Sequence, residues 1–346
     1  MSALFRTASA APAKKDVEVA NLPEDSISSL SFSPVADYLA VGSWDNNVRI
    51  YEVGADGQTQ GKAMYSHPAP VLDVCWNKAG TQIISGGADH AARLYDVSTG
   101  QFQQVAAHDA PVKSVRLFES PQGTILATGG WDKMLKYWDL RTPQPIATIQ
   151  LPERCYTMDA VYPLLVVGTA NRGLEVFNLT NPNKAFKSYT SPLRWQTRVV
   201  TCFHSADGFA IGSVEGRVAM EYIDEKSKDK AYTFRCHRKE ITKSDYMVNA
   251  VNSVIFHPKQ QSAFVTCGSD GGIVCWDRDA RTRLAAFDSQ AGSISASAYN
   301  HTGSILAYAV SYDWHKGYSG MTPTTPNKLM LHSVNEDEIV KKGARR

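Results

Sequence analysis

Short runs of alternating apolar and polar residues, separated by turns rich in Gly, Asp and Asn, fill the chain from Asp16 to Val334. Alternation at period two predicts half-buried β-strands, and turns this frequent leave no room for long helices. One unit recurs. Thr128 to Leu140 (TGGWDKMLKYWDL) reads as a strand end, a tight turn led by paired glycines and an Asp, and a strand closing on Trp-Asp. SGGADHAARLYDV from Ser85, VGSWDNNVRIYEV from Val41 and TCGSDGGIVCWDR from Thr266 repeat it, and VGTANRGLEVFNL from Val167 and IGSVEGRVAMEYI from Ile211 are weaker copies.

Taking the acidic or Asn residue of each copy as a register mark gives Asp45, Asp89, Asp132, Asn171, Glu215, Asp270 and, most degenerate, Asp313. The intervals are 44, 43, 39, 44, 55 and 43 residues. Spacings near 40–45 belong to four-stranded propeller blades, so seven marks predict one all-β, seven-bladed ring. Its inner strands are expected at 26–33, 71–76, 112–118, 155–161, 199–204, 250–256 and 293–299. The last repeat offers three strands, within 293–299, 304–310 and 328–334. The alternating segment 16–22 is expected to supply the fourth and close the ring, which removes open sheet edges. The domain reading is a flexible tail over 1–15, a propeller over 16–335 and a basic C-terminal tail over 336–346.

These units resemble WD repeats. In such repeats a His before the turn, a strand Ser or Thr, the turn Asp and a later aromatic form a buried hydrogen-bonded tetrad. The matching positions are His67, Ser85, Asp89 and Tyr95 in the second blade and His108, Thr128, Asp132 and Trp138 in the third. Repetition in register is what scaffolding requires and an active site does not. The fourth blade has Asn171 for the Asp, and the fifth has Glu221 for the aromatic, so packing is expected to hold those two. His237 stands where the sixth blade needs its His.

Composition narrows the function more than the fold. The formal charge is +2, so any electrostatic role must come from local clusters. Six cysteines without a C-x-x-C pair point to reduced residues in an intracellular protein. The N-terminus lacks the apolar run of a secretory signal, and no stretch suits a membrane span. No phosphate-cradling loop, dinucleotide fingerprint or metal-ligand spacing is present, so no enzyme activity, cofactor or metal is expected.

Two segments break the repeat: 225–248, rich in Lys and Arg, and the Gly/Pro/Thr-rich loop 313–327. Loops of that length in a compact domain are often functional. Arg217 stands where the other copies carry Asn47, Ala91, Met134, Gly173 or Gly272, and a guanidinium at that turn can fork a partner's carboxylate. Phe234 to Lys239 (FRCHRK) interleaves aromatic and basic side chains, a composition suited to single-stranded RNA. Trp276 to Arg283 (WDRDARTR) adds a second basic cluster.

Gly212 to Ala219, Phe234 to Arg238 and Val248 to Pro258 resemble two sister families of WD-repeat proteins. One comprises the RAE/GLE-type mRNA export factors of the nuclear pore, and the other the BUB-type mitotic checkpoint proteins. Both bind a short GLEBS motif in a larger partner. Ser311 to Gly317 (SYDWHKG), Gly42 to Arg49 and Trp276 to Thr282 look like the export factors. The resemblance spans about residues 20–334. It implies a non-enzymatic adaptor at the nuclear envelope and pore that shuttles to the cytoplasm, docking the GLEBS motif of an FG nucleoporin through Arg217, Glu215 and Arg238. It further implies a groove of Phe234, Trp276, Asp277, Arg281 and Arg283 for single-stranded RNA or messenger ribonucleoprotein. The alternative is a checkpoint protein whose GLEBS partners are checkpoint kinases.

Overall fold

Each turn unit folds as the hinge between the second and third strands of a four-stranded antiparallel sheet, and seven such sheets are present among the described residues. The computed structural model describes residues 16–340 apart from Ser244. The expected tail over 1–15 and the basic end 341–346 lie outside the described residues.

Blade 1 is built from Ile27–Phe32, Tyr38–Ser43, Asn47–Val53 and Thr59–Ser66. Blades 2 to 6 repeat this order, and blade 7 joins Ile294–Tyr299, Ile305–Val310 and Lys328–Ser333 to Val17–Glu18. Val17 pairs with Leu331 and Glu18 with Met330, so the start of the propeller completes its last sheet. Second strands such as Leu164–Thr169 are buried on both faces, because neighbouring blades cover each side. Their runs of small and β-branched residues follow from that double burial. The core accordingly lies between blades. Phe203 of blade 5 meets Phe256 of blade 6 edge-on at 5.2 Å, and Val19 joins Leu30, Leu329 and Leu331 where the ring closes.

A β-bulge interrupts the first strand pair of all seven blades at the same register, for example between Ile27 and Ser29 and between Val112 and Ser114. A bulge leaves one residue outside the ladder and re-aims its side chain. The seven bulged residues are Ser28, Leu72, Lys113, Tyr156, Arg198, Asn252 and Ser295, and together they line one mouth of the central channel. The turn units sit at that same end, which is called the upper face below.

The two irregular segments are structured. Residues 225–248 contain a short 3-10 helix (Glu225–Lys230), the outer strand of blade 5 (Tyr232–Arg235) and a separate hairpin of Arg238–Glu240 and Tyr246–Val248. Within 313–327, Asp313 is buried and accepts hydrogen bonds from Ser293 (2.9 Å) and Asn252 (3.1 Å). One boundary expected from the sequence moves. Glu336–Ile339 is a helical turn, and Glu338 accepts from the Asn335 N–H (2.9 Å) and meets His332 (3.0 Å). Residues 336–340 therefore belong to the folded body instead of starting a tail.

Candidate functional site

Among the described residues, three blades contain a buried His–Asp–hydroxyl chain. In blade 3, His108 bridges Asp132 (2.8 Å) and Thr128 (2.7 Å), and the Trp138 indole N–H donates to Thr128 (2.8 Å). Blade 6 repeats this with His237, Asp270, Thr266 and Trp276 at 2.9, 2.9 and 3.0 Å. Burial pulls His108 below its ordinary value even beside Asp132, which keeps it neutral and structural. Blade 2 differs from expectation. His67 bridges Asp89 (3.0 Å) and Ser85 (2.7 Å), but the hydroxyl that reaches Ser85 belongs to Tyr65, at 3.0 Å. Tyr95 instead stacks flat on Tyr65, with centroids 5.0 Å apart. A phenol on the preceding outer strand is long enough to cover that distance, which leaves Tyr95 a packing role.

On the upper face a cleft of about 840 Å³ opens beside blade 5, lined by Arg194, Trp195, Glu215, Arg217, Arg235, Arg238 and Val248, among others. Gly216 makes the turn possible. It has a positive φ of 62°, and a Cβ there would sit 2.6 Å from the Cys236 carbonyl. Glu215 is mostly buried and turns inward, accepting from the Arg194 N–H (3.1 Å) and lying 3.3 Å from Arg217 Nε. Arg238 donates to the carbonyls of Glu215 (2.7 Å) and Gly216 (3.3 Å). Burial, then the charges of Arg217 and Arg235, pull Arg238 below the usual arginine range. Glu215 and Arg238 are thus positioning residues that hold the turn, and neither Nη group of Arg217 makes a hydrogen bond among the described residues. Four guanidiniums against one carboxylate leave the cleft net positive, with the exposed Trp195 ring on its wall. Arg194 and Trp195 were not singled out by the sequence, since they stand in an ordinary loop, and Arg235 was read there only as part of the basic and aromatic run 234–239.

Lower on the same side, Phe234 and Trp276 form a cross-blade aromatic pair, centroids 4.7 Å apart, both half-buried. Arg283 is exposed and is the cross-strand partner of Trp276. Arg281 lies over the Tyr232 ring at 4.7 Å and donates to the Lys230 carbonyl at 3.2 Å. Asp277 is occupied otherwise. Its carboxylate accepts from the Asp279 and Ala280 N–H groups (both 2.9 Å), which makes it the cap of its turn. Trp276 is the tetrad aromatic of blade 6, and the half-buried ring also packs on Phe234.

One strand joins the two places. Tyr232–Arg235 alternates, so Thr233 and Arg235 point into the arginine cleft while Tyr232 and Phe234 point to the aromatic groove. Cleft and groove are therefore the two sides of one four-residue strand.

The repeated sheets and His–Asp chains define a WD-repeat propeller. The family model for the WD domain, G-beta repeat, matches residues 18–52, 58–96, 100–139 and 229–277. Over 328 residues the chain is 56% identical to the poly(A)+ RNA export protein of Schizosaccharomyces pombe, covering 94% of this chain and 92% of that one. It is 50% identical over 329 residues to the mRNA export factor GLE2 of Chaetomium thermophilum (94% and 92%). With the mRNA export factor of Xenopus tropicalis it shares 44% over 333 residues (93% and 90%). The chain belongs to the Rae1/Gle2 family of mRNA export factors, WD-repeat propellers that serve as non-enzymatic adaptors.

Proposed function

We propose that this chain is an adaptor in nuclear export of mRNA that captures the acidic GLEBS segment of a nucleoporin in the arginine cleft and contacts RNA or ribonucleoprotein through the adjoining groove, working at the nuclear pore. The observation that carries the reading is the turn at Gly216, which presents the Nη groups of Arg217 to a cleft bearing three further arginines and an exposed indole. A carboxylate there meets charge-assisted donors already held in place by Glu215 and Arg238. An exposed ion pair alone contributes about 1 kcal/mol or less, so affinity needs Trp195 as an apolar anchor beside the charges. The names of the relatives support the export role.

Fluorescence anisotropy with labelled GLEBS peptides from a nucleoporin and from a checkpoint kinase tests this. The nucleoporin peptide is expected to bind more tightly, and Arg217→Glu is expected to weaken it by more than about tenfold. Unchanged affinity in Arg217→Glu would remove Arg217 from the site, and preference for the kinase peptide would favour the checkpoint alternative.

A further inference from the structure

The seven bulges bring together residues that no local motif connects. Lys113 of blade 3, Tyr156 of blade 4 and Arg198 of blade 5 come to one side of the channel mouth, and none of the seven bulged residues is acidic. Above them the opening is walled by Trp44, Trp131 and Trp314, with Trp44 and Trp314 stacked at 3.9 Å. The cavity measures about 360 Å³.

The acids nearby are already engaged. Asp73 and Asp159 hold Arg116, at 2.7 and 3.0 Å, and Asp313 accepts from Ser293, Asn252 and His315. Arg198 is fixed by Asn252 Oδ1 (3.1 Å) and by the Asp313 carbonyl (2.8 Å), neutral acceptors that leave its charge uncompensated by direct contact. Lys113 makes no hydrogen bond or ion pair among the described residues. Burial pulls both cations below their ordinary values. Two further groups at the mouth, Thr197 Oγ1 and Trp314 Nε1, are buried without a hydrogen-bond partner. Buried polar groups are nearly always paired, and these can all donate. The set wants an acceptor that is negative, small and rich in lone pairs.

We infer that the mouth of the central channel is a carboxylate-binding site, separate from the arginine cleft, in which Lys113 and Arg198 hold the anion and Thr197 and Trp314 complete its hydrogen bonds. The two cations set the sign of the ligand, and the aromatic walls admit the methylenes that carry it. Trp314 reaches the anion once its ring tilts off Trp44. The carboxylate arrives either on a small organic acid or on an acidic side chain of a segment crossing the mouth. The site stands independently of the arginine cleft, since no residue of the triad Lys113, Arg198 and Trp314 lines that cleft.

Glutarate, a Glu-containing peptide and inorganic phosphate are titrated at fixed ionic strength into 15N-labelled protein, following the indole N–H signals of its seven tryptophans. The Trp314 signal, identified by its absence in Trp314→Phe, is expected to move downfield and saturate with glutarate or with the peptide. Lys113→Met should weaken that response at least about tenfold, while Lys113→Arg retains it and Arg217→Glu leaves it unchanged. Tighter binding of the peptide assigns the source to a side chain, and equal binding to a small acid. The inference is overturned by no saturable shift up to about 50 mM, by an equal response in Lys113→Met, or by phosphate binding more tightly than either carboxylate. The remaining indole signals report folding of each variant.

Discussion

Phe234 and Trp276 face each other across the boundary of blades 5 and 6, their centroids 4.7 Å apart, while the Trp276 indole N–H is committed to Thr266 at 3.0 Å. Trp276 is therefore tied into a buried hydrogen-bonded chain, whereas Phe234 is held by packing alone, against Trp276 and the buried Phe264. Phe234→Ala is expected to weaken single-stranded RNA binding by about 1–3 kcal/mol, the value of one stacking platform, together with a packing loss in stability. Trp276→Phe keeps a ring but removes one of the two hydrogen bonds of the buried Thr266 hydroxyl, which retains His237, so a loss of about 1 kcal/mol should appear in denaturant unfolding. Filter binding and urea titration of both variants check the division. Equal effects on RNA and stability in both would contradict it.

Charge in the same groove has its own signature. Each phosphate contact releases counterions, so Arg281→Glu and Arg283→Glu should each reduce the slope of log affinity against log salt by about one. A slope that stays put removes that arginine from the RNA path.

In the arginine cleft Trp195 is exposed, and Arg172 supports its loop by donating to the Leu193 carbonyl at 3.1 Å. Trp195→Ala is expected to cost about 2 kcal/mol of acidic-peptide affinity and almost nothing in thermal stability. Calorimetric titration beside a melting curve separates those quantities, and a lower melting point with intact affinity would make the indole a packing residue.

Blade 2 offers a clean contrast between two phenols. Tyr65 donates to Ser85, whereas the Tyr95 hydroxyl has no partner of that kind among the described residues, so Tyr65→Phe should lose about 1–2 kcal/mol and Tyr95→Phe much less. The reverse order in chemical denaturation would return the tetrad role to Tyr95.

The ring closure carries a pH dependence. His332 lies between Asp16 (2.7 Å) and Glu338 (3.0 Å). Burial opposes its charge, but the two carboxylates outweigh burial and raise it to about 9. A raised value means the stabilisation is complete below the unfolded value of about 6.5 and fades as pH climbs through 9. Asp16 and Glu338 are both depressed, burial opposing and His332 prevailing, so their share fades only as pH falls through their lowered values. Stability should thus level off between about pH 5 and 6.5, and His332→Gln should lose on the order of 2 kcal/mol there and much less at pH 10. Melting curves across this range decide it, and a penalty independent of pH would rule out the charged form.

What the sequence disclosed follows from how local each signal is. The blades were legible because the Gly-Asp turn and its closing aromatic fall within a single repeat. Arg217 stood out because the five sibling turns compared with it lack an arginine at that place. Tyr65 was missed because its hydroxyl crosses from the preceding repeat, and Arg194 and Trp195 because a loop has no register to depart from. Lys113 and Arg198 were invisible for a deeper reason. Nothing local marks the bulge that turns them inward, and only closure of the ring makes them neighbours.

The short strand Val17–Glu18 pairs with Lys328–Ser333, so the first propeller strand to leave the ribosome waits unpaired until the last one follows. Synthesis must therefore be nearly finished before the seam can be sewn. Trimming a few residues at the front of the propeller would open the same join as cutting off its end.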